Sequence, residues 1–120
     1  MARGHRITIT PTELHVEVAV AGQTVAKSDR PVLLDETGLP TRYYLPPEDV
    51  RTDLLRRTDR TTTCPFKGEA SYWSLEIGGE VHDDIVWSYE NPIPGAEGIT
   101  GLMCFYSERA DIVVDGQAPS

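Results

Sequence analysis

Histidine and cysteine are scarce in this chain, and so is positive charge. The 120 residues include three histidines, two cysteines, and 11 lysines and arginines against 19 aspartates and glutamates, a formal charge of −8. Duplex nucleic-acid binders neutralise phosphates with clustered cations, so no nucleic-acid partner is expected. No apolar run approaches the roughly 20 residues that span a bilayer. The basic stretch Met1 to Arg6 is followed by Ile7-Thr8-Ile9-Thr10-Pro11, not by the apolar core of a secretory signal. The expectation is a cytoplasmic protein with no membrane partner. Cys64 and Cys104 lack the paired spacing of a zinc site, so free thiols and no structural metal are expected. There is no P-loop, no GxGxxG before a helix, no GxSxG and no HExxH, hence no common nucleotide, hydrolase or metalloprotease signature and no implied cofactor.

What is present suits a globular domain. Hydrophobic residues make up 39% and charged residues 25%, too apolar for a disordered chain. A chain of this length buries about two-thirds of its extended surface, enough for a core without staples. One domain over residues 1–120 is expected, with an ordered core over about residues 12–116 and a loose tail after Asp115. The charge is also uneven. Residues 1–60 hold nine cations and nine anions, whereas residues 61–120 hold ten anions and only Lys67 and Arg109. Lys67 is thus an isolated cation in an acidic half, and it needs a carboxylate partner or an anionic ligand.

Leu14, Val16, Val18 and Val20 alternate with polar or small residues, the period of a strand with one buried face. Thr24–Ala26 and Val32–Leu34 read as one return strand with a bulge between Lys27 and Pro31. Tyr43–Leu45 is a short strand candidate. Pro46-Pro47-Glu48-Asp49 signals a helix start; Val50, Leu54 and Leu55 would form its apolar side and Arg56-Arg57 its C-terminal end. Strand signals return at Thr61–Cys64, Ser71–Ile77, Val81–Tyr89, Leu102–Tyr106 and Ile112–Val114, with Gly78-Gly79 as a hairpin turn and Asn91–Gly98 as a loop. The expected fold is mainly β: a single compact antiparallel curved sheet, barrel-like or tent-like, of about seven strands with one short helix.

Tyr72 lies on the face of its strand opposite Trp73 and Leu75, and Trp87 shares a face with Ile85 and Tyr89. Trp87 and Tyr89 either line a cavity for a small organic ligand or are ordinary core aromatics. Cys64-Pro65-Phe66-Lys67-Gly68 puts a thiol beside an ammonium, which can create a nucleophile. None of His5, His15 and His82 is evidently placed as its base, so Cys64 also reads as an inert core thiol. Arg30, Glu36, Arg42 and Asp49 flank turns, where a buried Arg–carboxylate pair would orient a ligand or only fix a bulge. His82-Asp83-Asp84 follows a hairpin turn and reads as solvated rather than metal-binding.

The ordered series Val25–Arg30, Glu36, Tyr43–Val50, Cys64–Trp73, Trp87–Pro92, Gly101 and Phe105-Tyr106 resembles the bacterial and fungal family of domain of unknown function 427 over about residues 14 to 116. That family also carries a nucleotidyltransferase label. Such chemistry needs paired carboxylates holding magnesium and a phosphate cradle, and the sequence offers neither. By resemblance, Arg30, Glu36, Tyr44, Asp49, Cys64, Lys67, Tyr72, Trp87 and Tyr89 fall on the family's signature positions. They hold more charge than packing requires, because a buried charge is costly unless paired.

Two functions compete. In the first, Asp49, Cys64 and Lys67 are catalytic candidates, and Arg30, Glu36, Tyr44, Tyr72, Trp87 and Tyr89 bind a small molecule with an anionic group. In the second, the same residues form a buried network in a non-catalytic interaction or structural module, with homodimerisation through an exposed edge strand. A polar pocket favours the first, and a filled interior the second.

Overall fold

Val16, Val18 and Val20 are all buried while Glu17 and Ala19 between them are not, so the period-two pattern folds as a strand. The computed structural model describes residues 5–115; the expected loose tail after Asp115 lies outside the described residues. Within them are ten strands: β1 (Ile7–Pro11), β2 (Val16–Val20), β3 (Gln23–Ser28), β4 (Val32–Glu36), β5 (Arg42–Leu45), β6 (Leu55–Cys64), β7 (Gly68–Ile77), β8 (Glu80–Ser88), β9 (Met103–Phe105) and β10 (Asp111–Val114). The protein is mainly β and antiparallel, but it has ten strands rather than about seven, in two sheets rather than one, and no barrel closes. The large sheet runs β1-β4-β5-β9-β8-β7-β6, and the small one β10-β2-β3.

Two expectations need correction. The interruption between Lys27 and Pro31 is not a bulge within one strand. It is the crossover between sheets: β3 pairs with β2, whereas β4 pairs with β1 and β5. The helix after Pro46 does not form either. Two 3-10 turns, Pro47–Asp49 and Thr52–Leu54, stand in its place, and Leu55-Arg56-Arg57 begins β6. Val50 is held extended (φ −116°, ψ 143°) by a bridge to Ala26, and Arg51 N–H donates to the Val25 carbonyl at 2.8 Å. Backbone bonds to β3 take the place of a second helical turn, and no helix in the described residues is long and apolar enough to cross a membrane.

The Gly78-Gly79 turn is as expected. Both residues have positive φ (56° and 83°), and Ile77 faces Glu80 across a two-residue loop. Strand alternation then sorts the large sheet's side chains into two cores. Leu45, Leu75, Val86, Met103 and Phe105 pack with Val16, Val18, Val20 and Val25 of the small sheet. Their neighbours Tyr44, Tyr72, Trp87 and Cys104 fall on the other face, with Leu34, Ala70, Tyr89, and Ala96 and Ile99 of the 89–102 loop. Ile85 breaks the alternation and joins Val86 in the first core, because the β7–β8 register shifts between Trp73 and Leu75 and Asp84 takes φ 51°.

Candidate functional site

The second core is incompletely filled. Tyr44 pairs with Cys104, Cys104 with Trp87, and Trp87 with Tyr72, so these four residues form one row across β5, β9, β8 and β7. Cys104 is the small member of that row, and over it Trp87 Nε1 donates to the Tyr44 hydroxyl at 2.9 Å, with the rings edge to face. Against this row lies a cavity of about 180 Å³, lined also by Leu34, Glu36, Arg42, Lys67, Tyr89 and Tyr106, with Leu39 and Pro40 of the β4–β5 turn at the exposed side.

Its charged element is an ion pair. Lys67 Nζ donates to Glu36 Oε1 at 2.5 Å, with 11% and 7% of the two side chains exposed. Lys67 thus has the carboxylate partner its isolation called for. It also lies 5.8 Å from the centre of the Tyr89 ring. Glu36 is at the end of β4. Lys67 is in the turn from β6 to β7, fixed by its N–H to the Cys64 carbonyl (3.2 Å) and by its carbonyl, which accepts from Ile93 N–H (3.0 Å). Gly68 next to it has φ 113°, and a Cβ there would sit 3.3 Å from Ile93 N, so the turn needs glycine.

Burial pushes the Tyr44 and Tyr89 hydroxyls well above the ordinary phenol range. Tyr106 is pushed up to about 12 by burial and by its hydrogen bond with Tyr72. These phenols stay protonated at neutral pH, so each keeps an O–H to donate while its oxygen can accept, as that of Tyr44 does from Trp87. Tyr72 is further held by Thr62 Oγ1 (2.9 Å) and lies under the Arg60 guanidinium, 4.8 Å from its ring centre. Arg42 stacks over Trp87 (5.3 Å) and Tyr106 (5.9 Å) and holds Glu108 through two nitrogens.

Of the nine residues singled out in the sequence, Glu36, Tyr44, Lys67, Tyr72, Trp87 and Tyr89 line this cavity; Arg30, Asp49 and Cys64 do not. Arg30 is exposed and bonds Glu48 (3.0 Å) and Asp49 (3.5 Å), while Asp49 accepts from Ser28 Oγ at 2.8 Å. That cluster ties the end of β3 to the Pro47–Asp49 turn beside a separate groove. Cys64 ends β6, half-buried against the second core. Three residues were not in the expected set. Arg42 flanks a turn and Tyr106 ends the Phe105-Tyr106 pair, and strand alternation from Tyr44 and Cys104 puts both on the cavity face. His5, which donates from Nε2 to Glu36 Oε2 at 3.0 Å and stacks on Phe66 (3.9 Å), had no local signal.

The family model for domain of unknown function DUF427, named NTP_transf_9, matches residues 8–116. The chain belongs to the DUF427 family. No curated protein matches it significantly. Every residue lining the cavity falls inside the DUF427 match, whereas His5 precedes it. Among the described residues, no three His, Cys, Asp or Glu side chains gather as a metal site would require.

Proposed function

We propose that this cavity binds a small organic molecule through an anionic group held by Lys67, with the aromatic side chains as walls. The observation that carries the proposal is a buried ammonium facing an unfilled space lined by protonated phenols. Beside the Glu36 carboxylate the lining offers an ammonium and phenol O–H groups, donors that suit a carboxylate or phosphate. Size limits the ligand. About 180 Å³ is the liquid volume of about six waters and lies under the ~300 Å³ at which pockets for drug-sized molecules begin. A single-ring monoacid is the natural probe. A cytoplasmic location goes with the two free thiols.

The test is thermal unfolding with benzoate against its neutral analogue benzamide. Benzoate should raise the midpoint and benzamide should not. The benzoate effect should vanish in Lys67→Met/Glu36→Gln, which removes the ion pair whole. Equal effects of the two compounds would refute the proposal.

The second reading, a structural or interaction module, has one observation in its favour: Glu36 already satisfies Lys67, as Tyr44 satisfies Trp87. On this reading a second copy would add to an edge of the large sheet, β1 or β6; on β6, Arg56, Arg57 and Arg60 and the register shift oppose such pairing. Light scattering separates the two, since the ligand reading needs no dimer.

A further inference from the structure

We infer that His5 is part of this site and that an anionic ligand enters it together with a proton. The inference rests on reading the cavity as an anion site. Glu36 bridges two groups: Oε1 takes the Lys67 ammonium and Oε2 takes His5 Nε2. One is an ammonium, and the other an imidazole, the side-chain type that ordinarily changes charge nearest neutral pH. Only 7% of the Glu36 side chain and 22% of the His5 side chain are exposed. His5 is fixed in place. Its ring stacks on Phe66 within 17° of parallel, Arg6 N–H donates to Thr37 Oγ1 (2.9 Å), and Thr37 N–H donates to the Arg6 carbonyl (3.0 Å).

With His5 neutral, Lys67 and Glu36 cancel. An anion that drew Lys67 away would leave a buried carboxylate without a cation, which is strongly unfavourable. With His5 protonated, Glu36 keeps a cation and Lys67 can take the ligand. The bound state is then two neutral pairs, His5 with Glu36 and Lys67 with the ligand. That charge balance selects a monoanion, a small weak acid such as a monocarboxylate, because a dianion would leave one charge over.

Histidine changes charge between about pH 5 and 8, so affinity should rise as pH falls through that range. By linkage, binding should draw a proton from solvent. Among the described residues, His5 contacts Glu36 from β4 and Phe66 from the β6–β7 turn, and Lys67 of that turn holds the other oxygen of Glu36. Arg6 and Asp35 line the outer side of Glu36 together with Thr8 and Thr37. Arg6 and Asp35 are exposed and carry opposite charges, which solvent screens. Tyr89, also within electrostatic reach of Glu36, keeps its proton and leaves the balance unchanged.

The test is calorimetric titration of benzoate into the whole chain at pH 6 and pH 8, in two buffers of different ionisation enthalpy. Expected are tighter binding at pH 6, by up to about tenfold per pH unit, and uptake of up to one proton per benzoate. His5→Gln keeps an N–H donor but cannot gain charge, so at both pH values its benzoate affinity should be no higher than that of the unmodified chain at pH 8, with neither pH dependence nor proton uptake. Benzoate binding without proton uptake, or uptake that survives His5→Gln, would overturn the inference while leaving the anion site standing. No benzoate binding at either pH would overturn both. A ligand-free check follows His5 by NMR: its titration midpoint should lie higher in Lys67→Met, where Glu36 has His5 as its nearest cation, and an unmoved midpoint would show that the two do not share Glu36.

Discussion

Removing the Lys67 ammonium alone should be among the most destabilising single changes in this protein. In Lys67→Met the Glu36 carboxylate, 7% exposed beside Lys67, would keep among the described residues only the His5 contact. Breaking a buried pair by deleting one partner costs about 3–5 kcal/mol. Little solvent screening reduces that here. An unfolding entropy of about 2.1 cal/mol/K per residue puts each kcal/mol at about 4 °C for a chain of this length, a fall in midpoint of about 12–20 °C. Glu36→Gln alone should also be costly, because it strands the ammonium. Lys67→Met/Glu36→Gln should recover most of the loss, since replacing both partners removes the stranded charge. The assay is a double-mutant cycle by thermal and urea unfolding at pH 8, where His5 contributes least charge. Near-additive single losses of under about 1 kcal/mol, the range of exposed pairs, would refute the reasoning.

Three further outcomes follow from the same geometry. Tyr44→Phe removes the acceptor of the buried Trp87 indole N–H and should cost about 1–3 kcal/mol in urea unfolding; a neutral result would mean that water takes over that N–H. Gly98→Ala would put a Cβ 2.8 Å from Ile9 Cγ2 and should destabilise by about 1–3 kcal/mol. A stabilisation of about 0.4–1 kcal/mol, as at an unstrained glycine, would show that β1 does not press on the Glu97–Ile99 turn. Tyr44 and Tyr89 are raised by burial, so the folded state keeps protons that the unfolded chain loses near pH 10. Stability present below pH 10 should therefore fall as pH rises beyond it, with their tyrosinate absorbance appearing only as the β circular dichroism disappears. Ionisation in a still-folded protein would contradict this.

Local alternation carried most of the fold that could be read in the sequence. Val16–Val20, the Gly78-Gly79 hairpin and the opposed faces of Tyr72 and Trp73 needed only a period of two and turn chemistry. Whatever depended on distant backbone was not legible. The helix start at Pro46-Pro47 was locally sound, but Val25 and Ala26 draw Val50 and Arg51 into extended pairing. The chain between Lys27 and Pro31 reads the same whether it bulges or changes sheet, because the choice lies with β1 and β5. Of the six cavity residues, Tyr72, Trp87 and Tyr89 were legible from strand alternation, Lys67 from its isolation among acids, Glu36 from its place beside a turn, and Tyr44 only through the family resemblance. Arg30 and Asp49 stood out beside turns as Glu36 did, and clamp a turn instead, since the sequence marks a charge without saying what it faces. His5 was out of reach because its role depends on a contact 31 positions away.

The claim that the Lys67 cavity takes a small anion is tested most directly by a crystal structure of the protein soaked with 4-bromobenzoate and measured at the bromine absorption edge. The account predicts one anomalous peak inside the cavity, with the carboxylate within hydrogen-bonding distance of Lys67 Nζ and the ring between Tyr72 and Trp87. An empty cavity with Lys67 still on Glu36, or bromine only outside the cavity, would contradict it.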